Sequence, residues 1–131
     1  MSGDSSFLVY FNGPATLADA ARALSGSLHV VADGDGLLVR WAGRAEPELL
    51  IGLSDEPHVV VEATELAEQH QLPALSRCER RFEVSIDDLD AALDEMNTVA
   101  EVQMTLQDLT NGYLFNTWNG NVEPPYEPAA D

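Results

Sequence analysis

The stretch Leu28-His29-Val30-Val31-Ala32-Asp33-Gly34-Asp35-Gly36-Leu37-Leu38-Val39-Arg40-Trp41-Ala42 sets two runs of strand-forming residues on either side of a glycine-rich turn. Glycine adopts the positive φ that tight hairpin turns need, so the stretch predicts an antiparallel hairpin with strands at 28–32 and 37–42. Asp33 and Asp35 also look like a fragment of a calcium loop, which requires about six to eight oxygen ligands. The positions where such a loop would place further ligands hold Leu37 and Arg44, and the turn is the better reading.

Upstream, Ser6 to Phe11 is a β-rich run that stops at Asn12-Gly13-Pro14. A helix follows. Thr16 and Asp19 have capping-box spacing, Leu17, Ala20, Ala21 and Leu24 recur at helical intervals, and Gly26 is expected to supply a left-handed stop. Downstream, Glu48 to Ser54 predicts another strand and His58 to Glu62 a further one. A short helix is then expected from Thr64 to Gln71, broken by Pro73.

The second half follows the same plan. Phe82, Val84 and Ile86 alternate with Arg81, Glu83 and Ser85, the pattern of a half-buried strand. A helix comes next, with Ser85 and Asp88 at capping-box spacing (Asp87 is the alternative cap). Leu89, Ala92, Leu93 and Met96 form its inward stripe, and Asp87, Asp88, Asp90, Asp94 and Glu95 form a wholly acidic outer face. Val102, Met104 and Leu106 alternate with polar residues and read as a strand over 99–109, with a continued helix as the rival. Asn111-Gly112 then turns the chain into a returning strand, Tyr113 to Trp118. The order strand–helix–strand–turn–strand thus occurs at 7–42 and again at 81–118. The expected fold class is α+β: two βαββ-like units forming antiparallel sheet or sheets, with helices packed on one face. Residues 1–122 read as a single domain, and 123–131 as an extended or disordered Pro-rich acidic tail.

The charge is unusual for such a domain. Among 131 residues there are 23 acids and 6 bases, for a net charge of −17. Every base is arginine. A field of this sign repels nucleic acid and anionic membranes, so neither is an expected partner, whereas a basic protein would be steered in. The single cysteine, Cys78, excludes an internal disulfide. The first residues lack the basic and apolar regions of a signal peptide, and the chain reads as cytoplasmic.

No motif carries recognisable chemistry. His29, His58 and His70 have no metal-ligand spacing, and neither a metal nor an organic cofactor is expected. Ser25-Gly26-Ser27 is a helix stop, not a nucleophile turn, and Cys78 reads as a spectator. Arg77, Arg80 and Arg81 hold half of all the bases within five positions. They are candidate anion ligands, although neutralising an acidic surface explains them better. The aromatic stretch from Tyr113 to Trp118 is dense in interface-favoured residues, with Tyr113, Phe115 and Trp118 as candidate contacts and a homodimer as one arrangement.

These features point to a non-enzymatic acidic binding protein, an inhibitor or immunity-type neutraliser of a basic protein. Asp87, Asp88, Asp90, Asp94 and Glu95 would steer the partner and the aromatics would hold it. Two alternatives remain open. One is an accessory, chaperone-like module acting through a strand edge or the tail. The other is a small-molecule enzyme with Glu62, Glu65 or Glu83 as general base.

Overall fold

The computed structural model describes residues 6–26, 28–34, 36–40, 48–86, 94, 96–117 and 120–124. The chain is α+β, built on one antiparallel sheet of seven strands in the order β2-β3-β4-β5-β1-β6-β7. The strands are β1 (Ser6–Phe11), β2 (His29–Asp33), β3 (Gly36–Arg40), β4 (Glu48–Ser54), β5 (Arg80–Ile86), β6 (Tyr113–Asn116) and β7 (Val122–Glu123). Three helices accompany them among the described residues: α1 (Leu17–Leu24), α2 (Pro57–His70) and α3 (Met96–Thr110). A 3-10 turn spans Pro73–Arg77.

The sequence of β1 explains its central place. A strand buried on both faces reads as a continuous apolar run. In β1, Phe7, Val9 and Phe11 point into one core, while Leu8 and Tyr10 point into the other. On the first face, α1 contributes Ala20 and Leu24, and α3 contributes Val99, Val102 and Leu106. They pack against Leu37, Val39, Leu49, Ile51, Phe82 and Val84. On the second face, Val59, Ala63, Leu66 and Ala67 of α2 join Leu75 and Cys78 over Tyr10, with Leu8, Tyr113, Phe115 and Val122 around them.

Several local expectations hold. The hairpin forms with Asp33 paired to Gly36 and Gly34 at φ 63°. Thr16 caps α1 in a reciprocal box. Its Oγ1 accepts from the Asp19 N–H at 3.2 Å, and Asp19 Oδ2 accepts from the Thr16 N–H at 2.9 Å. Asn111 turns the chain at φ 56° before β6.

Others are corrected. The helices do not share one face, because α2 covers the side opposite α1 and α3. The expected strand at His58–Glu62 and helix at Thr64–Gln71 are one helix, α2. Pro57 starts it, and Val59, Ala63, Leu66 and Ala67 recur on one buried side, so tertiary burial overrides the β preference of three consecutive valines. The strand expected within 99–109 is helical. Val99, Val102 and Leu106 share its core side, and Met104, its alternating partner in the strand reading, is 62% exposed. Among the described residues, the second βαββ unit therefore lacks the strand expected within 99–109. Gly26 is not left-handed; α1 ends at Ser25, whose N–H donates to the Ala21 carbonyl at 3.0 Å.

The two margins of the sheet differ. β2 forms one with five residues. β7 forms the other with two, pairing Val122 with Phe115 and Glu123 with Leu114. The Gln107 side-chain amide of α3 donates to the carbonyls of Gly112, Glu123 and Pro124 at 3.1, 3.3 and 3.2 Å, which fastens this edge to the helix. Glu123, expected in the tail, thus belongs to the sheet, while 125–131 lie outside the described residues.

Candidate functional site

On the second face, β5 presents Arg81, Glu83 and Ser85, and α2 lies over the Arg81 end. Arg81 is only 7% exposed. Its Nε donates to Glu83 Oε2 at 2.7 Å, and its Nη1 to Tyr10 Oη at 2.8 Å and to the Glu62 carboxylate of α2. Nη2 lies 3.2 Å from His58 Nε2. A guanidinium has only donors, so the imidazole accepts there and carries its proton on Nδ1, which faces Glu56 at 3.7 Å. Burial works against the arginine's charge, but the hydrogen bonds it donates to Glu62 and Glu83 outweigh that and hold its pKa above the ordinary arginine value. Burial likewise pushes the Tyr10 hydroxyl up to about 12, although Arg81 opposes the shift.

This cluster ties α2 to the sheet. Arg81 spends its donors on four internal partners and is not available as an anion ligand. Arg80, its neighbour in sequence, points to the opposite face, where it stacks 5.2 Å from the Phe11 ring centroid and donates to the Gly13 carbonyl. Arg77 is exposed and contributes charge near Tyr113. The three arginines therefore do not converge: Arg77 ends the 3-10 turn, and Arg80 and Arg81, as successive residues of a strand, face opposite ways.

The carboxylates behave differently. The side chains of Glu62 and Glu83 are 47% and 38% exposed, each giving one oxygen to Arg81 and turning the rest of the carboxylate toward solvent. Together with Arg81 they leave one surplus negative charge at this point. Glu65, the third candidate base, is exposed on α2 and takes no part in the Arg81 cluster.

Beside these acids the sheet is open. In β4, Leu49, Ile51 and Leu53 face the first core, while Leu50, Gly52 and Ser54 face the second side. Among the described residues, no helix lies over β2, β3 and β4 on that side. Register aligns Val31 with Leu38 and Leu38 with Leu50, so three aliphatic side chains form one cross-strand row. Val31 and Leu50 are each 44% exposed. Gly52 stands next to this row and pairs with Glu83. A Cβ on Gly52 would meet nothing within 4 Å, and its φ is not positive.

Nothing matches this chain in comparisons with protein-family models, curated proteins and solved structures.

The remaining candidates are dispersed. Tyr113 and Phe115 are half-buried under the α2 layer, so they serve the second core rather than an open surface. Asp94 is helical and exposed. Asp87, Asp88, Asp90, Glu95 and Trp118 lie outside the described residues. Cys78 is buried, and burial raises its thiol to about 11, away from the range of a reactive thiolate. Among the described residues, no group of three or more His, Cys, Asp or Glu side chains is placed to hold a metal ion. No helix among them is long and apolar enough to cross a membrane.

Sequence reasoning missed the open half-face and the role of Arg81. Gly52 inside the apolar run Leu49-Leu50-Ile51-Gly52-Leu53 was the available signal, since glycine in a strand interior marks a close approach or a bulge.

Proposed function

We propose that this protein is a non-enzymatic binding protein that engages a basic protein partner through the open half-face of β2, β3 and β4. One observation carries the reading: in the Val31–Leu38–Leu50 row, Val31 and Leu50 are exposed and Leu38 is half-buried, beside the half-exposed carboxylates of Glu62 and Glu83. Exposed apolar rows rimmed by polar groups mark interaction sites. The apolar row supplies contact area, and the surplus of acids, with a net charge of −17, supplies attraction and rate. A second copy of the chain carries the same charge and is repelled, which favours a cationic partner over a homodimer.

An inhibitor or immunity-type neutraliser that covers a cationic surface has this combination of properties. We place it in the cytoplasm, where its one cysteine remains a thiol. A second reading, addition of a partner strand to the outer margin of β2, is favoured by the position of that strand at the end of the sheet among the described residues.

Capture of host proteins on the immobilised chain, at low and at high ionic strength, tests the proposal. Basic proteins should be retained at low salt, released at high salt and lost from Leu50→Asp. Retention that ignores both salt and Leu50→Asp would remove the basis for the proposal. Partners kept by Leu50→Asp but lost when the β2 backbone is blocked by Val30→Pro would transfer the role to the strand margin.

A further inference from the structure

Nothing among the described residues requires glycine at position 52. Its backbone is not left-handed, and the space above it is empty of protein atoms within 4 Å of a Cβ. A strand-forming side chain there would stabilise β4, since glycine in a strand interior weakens it. What the glycine provides is a trough, with Leu50 two residues along the same strand and Glu83 directly across the β4–β5 pair. Adjacent strands lie about 5 Å apart, so the Glu83 carboxylate stands within one long side chain's reach of the trough. From above, α2 adds Glu62, bound like Glu83 to Arg81 through one oxygen only.

We infer that the trough over Gly52 seats a lysine or arginine side chain of the partner. This rests on the proposed basic-partner reading and names its anchor. The methylene stem lies on the bare backbone of Gly52 and against Leu50, and the cationic head reaches Glu83 and Glu62. Long basic side chains are suited to such a seat, because they bury an apolar stem while keeping the charged end at a wet rim. Arg81 helps by holding both carboxylates in place, and the one negative charge that it leaves uncompensated is the one the incoming cation neutralises. Segments that alternate apolar and basic residues fit the neighbouring row: their apolar members meet Val31 and Leu38.

The probe is a synthetic peptide of alternating leucine and lysine, with a leucine–serine peptide as the uncharged control. Binding to the full chain is measured by isothermal titration calorimetry. Gly52→Val fills the trough from a Cβ position that meets no atom within 4 Å, and Glu83→Gln removes the charge while keeping the shape. Asp108→Asn, on the far face, lowers the net charge equally and serves as the remote control. Expected is a loss of about tenfold or more in affinity for Gly52→Val and Glu83→Gln, with a change of less than about threefold for Asp108→Asn. Circular dichroism and an unchanged or raised urea midpoint confirm that Gly52→Val is folded. Equal weakening by all three variants, or none by Gly52→Val, would overturn the seat while leaving the basic-partner reading intact. No binding of the lysine peptide to the wild-type chain would overturn both.

Discussion

Arg81 and Tyr10 are register partners across the β1–β5 pair, and the guanidinium donates to the phenolic oxygen at 2.8 Å while lying 5.5 Å from the ring centroid. The contact joins two residues that are only 7% and 1% exposed, so solvent is poorly placed to replace a lost partner of the hydroxyl. Arg81→Met should therefore destabilise the protein by about 1–3 kcal/mol, the range for leaving a buried polar group unpaired. Arg81→Lys should fall between, since an ammonium cannot reach several partners through a fixed fork. Urea denaturation of both variants reads the order directly; equal stability of Arg81→Met and wild type would contradict the arrangement.

The alkaline limit of stability follows from two groups. Burial raises Tyr10 from 10.0 to about 12 and Cys78 from 9.0 to about 11. Both are neutral when protonated, and the unfolded chain loses these protons first. Their contribution is complete below pH 9 and is lost as pH rises, through 9–11 for the thiol and 10–12 for the phenol. Unfolding free energy measured against pH should fall across this span. Cys78→Ala should flatten the lower part and Tyr10→Phe the upper part.

On α3, Leu106 is fully buried and Met104 is 62% exposed. Leu106→Ala should cost about 2–5 kcal/mol, and Met104→Ala within about 0.5 kcal/mol of nothing. A strand would put both side chains on one face and make the two costs similar. Thermal melts of the pair decide between these geometries.

Gly112, next to the Asn111 turn, is held by close approach. A Cβ there would stand 2.5 Å from the Tyr10 carbonyl oxygen and 2.8 Å from Thr110 Oγ1. Backbone cannot yield as a flexible side chain does, so Gly112→Ala should destabilise by about 1–3 kcal/mol. Gly52→Ala, with open space above it, should not destabilise at all. The contrast is measurable by the urea midpoints of the two variants.

Local chemistry was legible where a few residues decide the outcome. Thr16 with Asp19, Asp33 to Gly36, and Asn111 each specify a cap or turn through their own backbone preferences. The alternation in Arg81–Ile86 assigned the correct residues to opposite faces of the strand. It did not reveal that Arg81 is buried, because that depends on α2, a segment whose valines mimic a strand. The error at 99–109 has the same cause. Val102, Met104 and Leu106 alternate over five positions, too short a span to separate a period of two from 3.6 until the core selects Val99 and Leu106. The candidate surface was least legible of all. It consists of residues from four strands and a helix, and its defining property is that no helix among the described residues covers it.

The unequal borders of the sheet limit how copies of this molecule can associate through backbone. β2 offers five residues to an arriving strand, whereas β7 offers two, already held by Gln107. A head-to-tail chain needs both borders to pair well, and the short one cannot. On the borders that the described residues form, joining through β2 would end with a single event, and the molecule would act as a terminator and not as a repeating link. Among the described residues, fibril growth by lateral stacking would find no second long border from which to continue.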